Sequence, residues 1–172
     1  MKNRIEIRKI TLRSLDAFYT FFKKNFALLF PEYNKKEIRF ILKARWGWSR
    51  KRYRELLEEK DRIILGAYDG RKIVGILDAE LPEAGVSECD WIMVHKDYQG
   101  KGIGKELMKE WERIVKKMGG HMLFLDAKGT NASLYIKRGF YLVGSFSKGW
   151  FGKDTYIFTK IIQNPREKNY LK

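Results

Sequence analysis

Two rhythms of apolar residues run along the chain, a helical one over residues 14–60 and a strand-like one from residue 63 onward. Arg4 to Ile10 alternates through Ile5 and Ile7 and, after one slip, Ile10, which predicts a first strand. Ser14 is placed to cap a helix whose apolar positions Leu15, Phe18, Tyr19, Phe22, Phe26 and Leu29 keep helical spacing. Pro31 ends it, because proline has no N–H to give and its ring clashes with the preceding turn. Asn34 and Glu37 have the spacing of a capping box and open a second helix through Ile38, Ile41, Leu42 and Trp46. Gly47 interrupts it, and the charged segment from Arg50 to Lys60 continues as helix.

Short apolar runs follow. Ile63 to Ala67, the turn Asp69-Gly70 and Lys72 to Leu81 predict a hairpin, and Glu88 to Val94 a third strand of the group. Gly102 to Met118 sets Ile103, Leu107, Trp111, Ile114 and Met118 on one helix face. Met122 to Leu125 predicts a strand, Asn131 to Arg138 a short helix, and Phe140 to Ile161 two closing strands around Gly149-Trp150-Phe151-Gly152. The order β-α-α-β-β-β-α-β-α-β-β is that of a mixed α/β (α+β) fold, with a largely antiparallel sheet flanked by helices. No repeat, low-complexity stretch or Pro/Ser-rich linker divides it. One domain is expected over residues 1–172, with early helices at 14–60, a core at 63–161 and a basic tail at 163–172.

Composition narrows the class. At 172 residues with 44% hydrophobic and 15% aromatic side chains, the chain can bury a core without disulfides and is no disordered segment. No apolar run approaches the roughly 20 residues that span a bilayer, so no membrane partner is expected. The first residues lack the apolar core of a signal peptide, and a lone Cys89 cannot form an internal disulfide, so the cytoplasm is the expected compartment. The net charge of +15, from 36 basic and 21 acidic side chains, suits an anionic partner. Nucleic acid or a ribosome, an acidic substrate and a phosphate-rich cofactor all fit. So does a thermophile-like surface dense in Lys, Arg and Glu, with Gln99 and Gln163 as its glutamines.

The segment from Trp91 to Lys105 carries the most chemistry. An apolar strand runs into Gln99-Gly100-Lys101-Gly102-Ile103-Gly104, and that turn opens an amphipathic helix. Amide N–H groups in a helix's first turn carry partial positive charge and donate to phosphate oxygens. Glycine lets a ligand approach the backbone and tolerates positive φ. Lys101 and Lys105 add ammonium groups at the same mouth. The turn lacks the Gly-Lys-Ser/Thr ending of a nucleotide triphosphatase loop and the glycine spacing of a dinucleotide fingerprint. Taken alone, a ligand-free glycine-rich helix start reads the same way.

Gln99-x-x-Gly102-x-Gly104 after an apolar strand resembles the Gln/Arg-x-x-Gly-x-Gly/Ala signature of the GNAT superfamily of N-acetyltransferases. A second stretch, Asn131-Ala132-Ser133-Leu134-Tyr135-Ile136-Lys137-Arg138-Gly139-Phe140, looks like that family's Asn-to-Gly-Phe region, slightly compressed. The resemblance is specific over residues 63 to 161 and diffuse over residues 1 to 60. It implies acetyl-CoA as acyl donor, direct transfer to an amine without a covalent enzyme intermediate, and a sheet splayed in the middle, between Glu88 to Val94 and Met122 to Leu125. The pantetheine arm would pair with backbone of Ile92, Met93 and Val94, while residues 99 to 105 hold the pyrophosphate. The N–H near Val94 would polarise the thioester carbonyl, and Asn131 would cap its helix, touch the cofactor, or both.

The chemistry asks for a base and an acid. A lysine amine with a pKa of about 10.4 is almost wholly protonated near neutrality. Glu88, Asp90, Ile92 and Val94 share one strand face, and the resemblance makes Glu88 the first candidate base and Asp90 the second, acting directly or through water. Tyr135 occupies the position of the family's general acid toward the leaving thiolate. Cys89 points to the opposite strand face and reads as a small buried hydrophobe. His95 and His121 stand alone, and no metal site is expected. The acceptor pocket would be built by Phe26 to Arg54 and Lys148 to Asp154. Within it, Arg45 to Arg54 interleaves aromatics with cations, either to bind acidic peptide, phosphorylated molecule or RNA, or as a helix with a core tryptophan and a solvated basic face. A CoA-sensing or RNA- or ribosome-associated module without catalysis is the alternative function, and the chain is expected as monomer or homodimer.

Overall fold

The computed structural model describes residues 4–43, 48–166 and 168. Seven strands, β1 (Glu6–Lys9), β2 (Arg62–Asp69), β3 (Lys72–Glu80), β4 (Val86–Val94), β5 (Met122–Ala127), β6 (Tyr141–Phe146) and β7 (Thr155–Ile161), join in the order β1-β2-β3-β4-β5-β7-β6. The pairs β1–β2, β5–β7 and β6–β7 are antiparallel and β4–β5 is parallel. Five helices accompany them: α1 (Leu15–Leu29), α2 (Lys35–Lys43), α3 (Arg50–Glu59), α4 (Ile103–Lys117) and α5 (Ala132–Ile136). This is the mixed, mostly antiparallel α/β arrangement that the order of elements predicts. The chain divides into two compact units, Met1–Asp78 with Trp91–Met108 and Ala79–Asp90 with Lys109–Lys172.

In the first unit, residues 63–68 of β2 and 73–78 of β3 are buried without a break. Continuous apolar runs of this kind belong to strands covered on both faces. Helices α1 and α3 supply Phe18, Phe22, Phe26, Tyr53 and Leu56 to the core over them. Tyr53 meets Phe18 edge-on at 4.7 Å between ring centroids, and Trp91 meets Phe26 at 4.8 Å. A polar pin crosses this core. Asp78, fully buried, accepts hydrogen bonds from Tyr53 Oη at 2.8 Å and from Arg62 Nε at 2.7 Å. The Arg62 side chain is itself only 7% exposed and lies 4.9 Å from the Trp48 ring centroid.

The helix ends show which local signals held. Asn34 Oδ1 accepts from the amides of Lys36 and Glu37, and Glu37 Oε2 accepts from Asn34 N–H at 2.7 Å, closing the expected capping box. Ser14 is a correction. Its hydroxyl makes no cap bond to α1 but turns back to Thr11, accepting from that residue's N–H at 2.9 Å and donating to its carbonyl at 3.1 Å. Thr11 lies three residues earlier and competes for the same oxygen. The cap of α3 is instead Ser49, whose Oγ accepts from Arg52 N–H at 3.1 Å. The positions Ala44, Arg45, Trp46 and Gly47, with the helix break expected there, lie outside the described residues, as does half of the 163–172 tail.

In the second unit Trp111, fully buried on α4, donates through Nε1 to Ser87 Oγ at 2.8 Å, and Ser87 donates on to the Glu80 carbonyl at 2.6 Å. Met118, expected on the apolar face of this helix, is 45% exposed because α4 ends at Lys117.

Removing the buried anion of the polar pin leaves the Arg62 charge in an apolar setting, which destabilises strongly. Asp78→Ala is therefore expected to lower the unfolding free energy by about 3–5 kcal/mol, measured by urea titration. Asp16→Ala, which removes the exposed partner of Arg50, is expected to leave the midpoint nearly unchanged.

Candidate active site

The glycine turn belongs to the first unit. Beyond β4 the chain makes a 3-10 turn over Lys96–Tyr98, capped by His95 Nδ1, which accepts from Asp97 N–H at 3.3 Å. Tyr98 fixes this turn by donating its hydroxyl to Asp69 at 2.7 Å, a bond that raises the phenol above its ordinary pKa. Gly100 and Gly102 then sit at φ of 73° and 82°, a region that side chains resist. A Cβ built on either would meet nothing within 4 Å, so both backbones face open space. The bond from Glu106 N–H to Gly102 O opens the α4 ladder. The amides of Ile103, Gly104 and Lys105 therefore precede it, as the first amides of any helix do.

The predicted cofactor residues fall into distinct roles here. Gln99 donates through Nε2 to the Val94 carbonyl at 3.1 Å and ties the turn back to the strand end. Lys101 folds onto the turn, its Nζ donating to the Asp97 carbonyl at 2.6 Å and lying 4.9 Å from the Tyr98 ring centroid. Lys105 is exposed and Ile103 buried. Met93 places its side chain in the core, so only its backbone is available to a ligand. His95 N–H is bonded to the Val74 carbonyl at 2.9 Å. Because backbone groups alternate sides along a strand, the N–H groups of Ile92 and Val94 point away from β3. Gly75 makes room for this run of β4. A Cβ there would come within 3.1 Å of the Met93 carbonyl oxygen and 3.2 Å of Ile103 Cγ2.

The candidate acid and bases lie in the second unit. Along β4, Ser87 and Cys89 are buried while Glu88 and Asp90 are half-buried on the other face, the alternation expected of them. The β4–β5 ladder runs from Val86↔Met122 to Cys89↔Leu125, pairing Glu88 with Phe124. Two residues past Phe124, on the same side of β5, lies Asp126, whose burial holds its carboxyl above the usual carboxylate range. The strand prediction stopped at Leu125 and so passed over Asp126. The signal was an acid directly continuing an apolar run.

Tyr135 is 6% exposed and packs between Phe158 at 5.3 Å and Phe140 at 6.0 Å between ring centroids. Burial, reinforced by Cys89, pushes its phenol far above the ordinary tyrosine range. Leu125 pairs with Phe158 across β5 and β7, so Tyr135 belongs to the Leu125 side and Glu88, Asp90 and Asp126 to the other. Asn131 is exposed and its side chain makes no cap bond, so the expected cap of α5 is not formed; a 3-10 turn over Gly129–Asn131 leads into that helix instead. Among the described residues no group of three His, Cys, Asp or Glu side chains is placed to hold a metal ion.

Of the aromatic and basic segment, Arg50 to Arg54 open the core-facing helix α3, and Arg45, Trp46 and Gly47 lie outside the described residues. Tyr53 is fully buried and Trp48 meets it in a tilted ring pair at 5.8 Å between centroids, while Arg50, Lys51, Arg52 and Arg54 pair with Asp16, Glu55 and Glu58. Aromatics committed to a core are not offered to nucleic-acid bases.

Residues 22–140, well over half the chain, match the model of the acetyltransferase (GNAT) family. The chain belongs to that family. Proteins of curated function give no match. Among solved structures, the PaiA N-acetyltransferase of Thermoplasma acidophilum in complex with coenzyme A superposes with a TM-score of 0.77 at 23% identity, covering 92% of this chain and 99% of that one. The ribosomal-protein-S18-alanine N-acetyltransferase of Escherichia coli gives 0.70 at 19% identity over 95% and 97%. An aminoglycoside 6'-N-acetyltransferase complexed with coenzyme A gives 0.67 at 18% over 94% and 99%. These likenesses establish the fold.

The elevated Tyr135 pKa has a consequence for stability. The folded chain keeps this proton after the unfolded chain has lost its own near pH 10. Its contribution is intact below about pH 10 and declines as pH rises beyond it. Tyr135→Phe is expected to flatten the fall in melting temperature between about pH 9 and 11, followed by circular dichroism.

Proposed function

We propose that the protein transfers an acetyl group from acetyl-CoA to a primary amine, directly and in a ternary complex, in the cytoplasm. The observation that carries this reading is the pair of positive-φ glycines, Gly100 and Gly102, with nothing within 4 Å of the positions their Cβ atoms would take. Backbone exposed this way at a helix start is a cradle for phosphate oxygens. The donor fits it: the amides of residues 100–105 and the Lys105 ammonium would hold the diphosphate, and the outward N–H groups of Ile92 and Val94 the pantetheine arm.

Acetyl-CoA brings the thioester whose carbonyl carbon is attacked. The chain's part is to position and to move protons. Val94 N–H points where a carbonyl oxygen gains charge during attack. A carboxylate on the Glu88 face takes the proton of the incoming amine. Glu88 and Asp90 stand first by position, and Asp126 joins them because its raised pKa makes it a better base than an ordinary carboxylate. Tyr135 stays a neutral donor to well above neutral pH and would give its proton to the leaving thiolate. The C–N bond forms, the C–S bond breaks, the thiolate takes the phenol proton, and the proton lost by the amine restores the balance through solvent. The half-buried carboxylate face suits an amine that arrives as a cation.

Acetyl-CoA at a hundred times its Kd is expected to stabilise the fold by about 2.7 kcal/mol, read as a raised melting temperature, and Gly102→Glu to abolish that shift. Tyr135→Phe is expected to keep the shift and slow thiol release by about a hundredfold or more. The base separates by pH profile: activity falls as pH drops through the base's pKa, and loss of that limb in Asp126→Asn rather than Glu88→Gln would assign the role to Asp126. A melting temperature indifferent to acetyl-CoA would overturn the enzyme reading.

A further inference from the structure

Two ammonium groups beside the glycine turn take no part in the diphosphate cradle. They meet at Tyr98, whose hydroxyl is held by Asp69 at 2.7 Å. Lys101 Nζ lies 4.9 Å from the centroid of that ring, and Lys72 Nζ, from the start of β3, lies 5.6 Å from it. Both distances fall within the reach of about 6 Å over which an aromatic face attracts a cation. Two like charges gathered on one ring repel each other, and an anion between them relieves the repulsion.

The protein supplies no such anion. Among the described residues neither lysine is paired with a carboxylate. Asp69 is engaged by the Tyr98 hydroxyl, and the Asp97 carboxylate lies 3.7 Å from His95 Nδ1. Lys51, Lys116 and Lys160, by contrast, each sit at a glutamate, at 3.9, 2.8 and 2.7 Å. Lys101 gives one N–H to the Asp97 carbonyl at 2.6 Å, which fixes its nitrogen near the ring. An ammonium has three donors, so two of Lys101 and all three of Lys72 remain for a ligand. Both side chains are exposed, and the open backbone of Gly100 and Gly102 is next to them in the chain.

Phosphate groups of different charge ask for different partners. Partly charged amides suit a diphosphate, whereas a phosphate monoester carries nearly two charges at neutral pH and is met best by full cations. Coenzyme A has both, the monoester being on its ribose. We propose that Lys72 and Lys101, gathered at Tyr98, form the subsite for that ribose phosphate, so that the chain takes acetyl-CoA in preference to its dephospho form. The subsite depends on the glycine turn being the diphosphate cradle, and it adds Lys72 to the residues that serve the donor. Nothing in the turn's own sequence announces Lys72, because it arrives from β3, the neighbour of β4 in the sheet.

Calorimetric titration of the full chain with coenzyme A and with dephospho-coenzyme A reads the subsite without turnover. The wild type is expected to bind coenzyme A about tenfold or more tightly, the worth of one charge-assisted contact. Lys72→Gln is expected to lose about tenfold toward coenzyme A and to bind dephospho-coenzyme A as the wild type does. Its melting temperature without ligand is expected to stay unchanged, since the side chain is exposed. Lys101→Gln is expected to narrow the preference likewise, and added salt to narrow it in the wild type, because exposed charges are screened. A wild type that binds the two forms equally, or a Lys72→Gln chain that keeps the full preference, would overturn the subsite and leave the donor reading standing. Failure to bind either form would overturn the donor reading and the subsite with it.

Discussion

The constraint on which the rest depends is that a strand must become a helix within a few residues without hiding the new helix's amides. Between Val94 and Ile103 the chain can do this only by entering the left-handed region twice, at Gly100 and Gly102. What fixes the turn is not glycine itself. Gln99 anchors it to the Val94 carbonyl, Tyr98 anchors it to Asp69, and His95 is bonded to Val74. Glycine permits the shape, and these three polar anchors tie it to β2, β3 and the end of β4.

Alternation along β4 then divides the chemistry. One face carries Glu88 and Asp90; the other buries Ser87, Cys89 and Met93. A carboxylate beside a phenol raises the phenol's pKa, as Asp69 does for Tyr98, and Tyr135 has no such partner on its own strand face among Ser87, Cys89 and Leu125. Tyr135 sits in an apolar box of Phe140 and Phe158, which raises its pKa, and Asp126 is raised by burial as well. Desolvation thus acts on both: it makes the carboxylate a stronger base and the phenol a weaker acid that stays protonated.

Much of this was legible in the sequence, for identifiable reasons. The Asn34–Glu37 box, the α4 stripe and the glycine turn depend on neighbours within a few residues, and local rules read them correctly. Ser14 failed because Thr11, equally local, claims the hydroxyl. Asp78 was unreadable on different grounds: its partners Tyr53 and Arg62 come from other elements, and nothing in the run Ile73 to Leu81 announces a charge that ends fully buried. Asp126 was lost at a strand boundary, the least certain feature of any sequence reading. The first of the two closing strands expected from Phe140 onward forms at Tyr141–Phe146, and all six of its residues are exposed.

At the glycine turn the backbone is exposed as amides with positive character, which water or an anion satisfies. The net charge of +15 favours any anion over a cation at such amides. Basic composition alone therefore does not point to nucleic acid here, because a phosphorylated small molecule answers the same field.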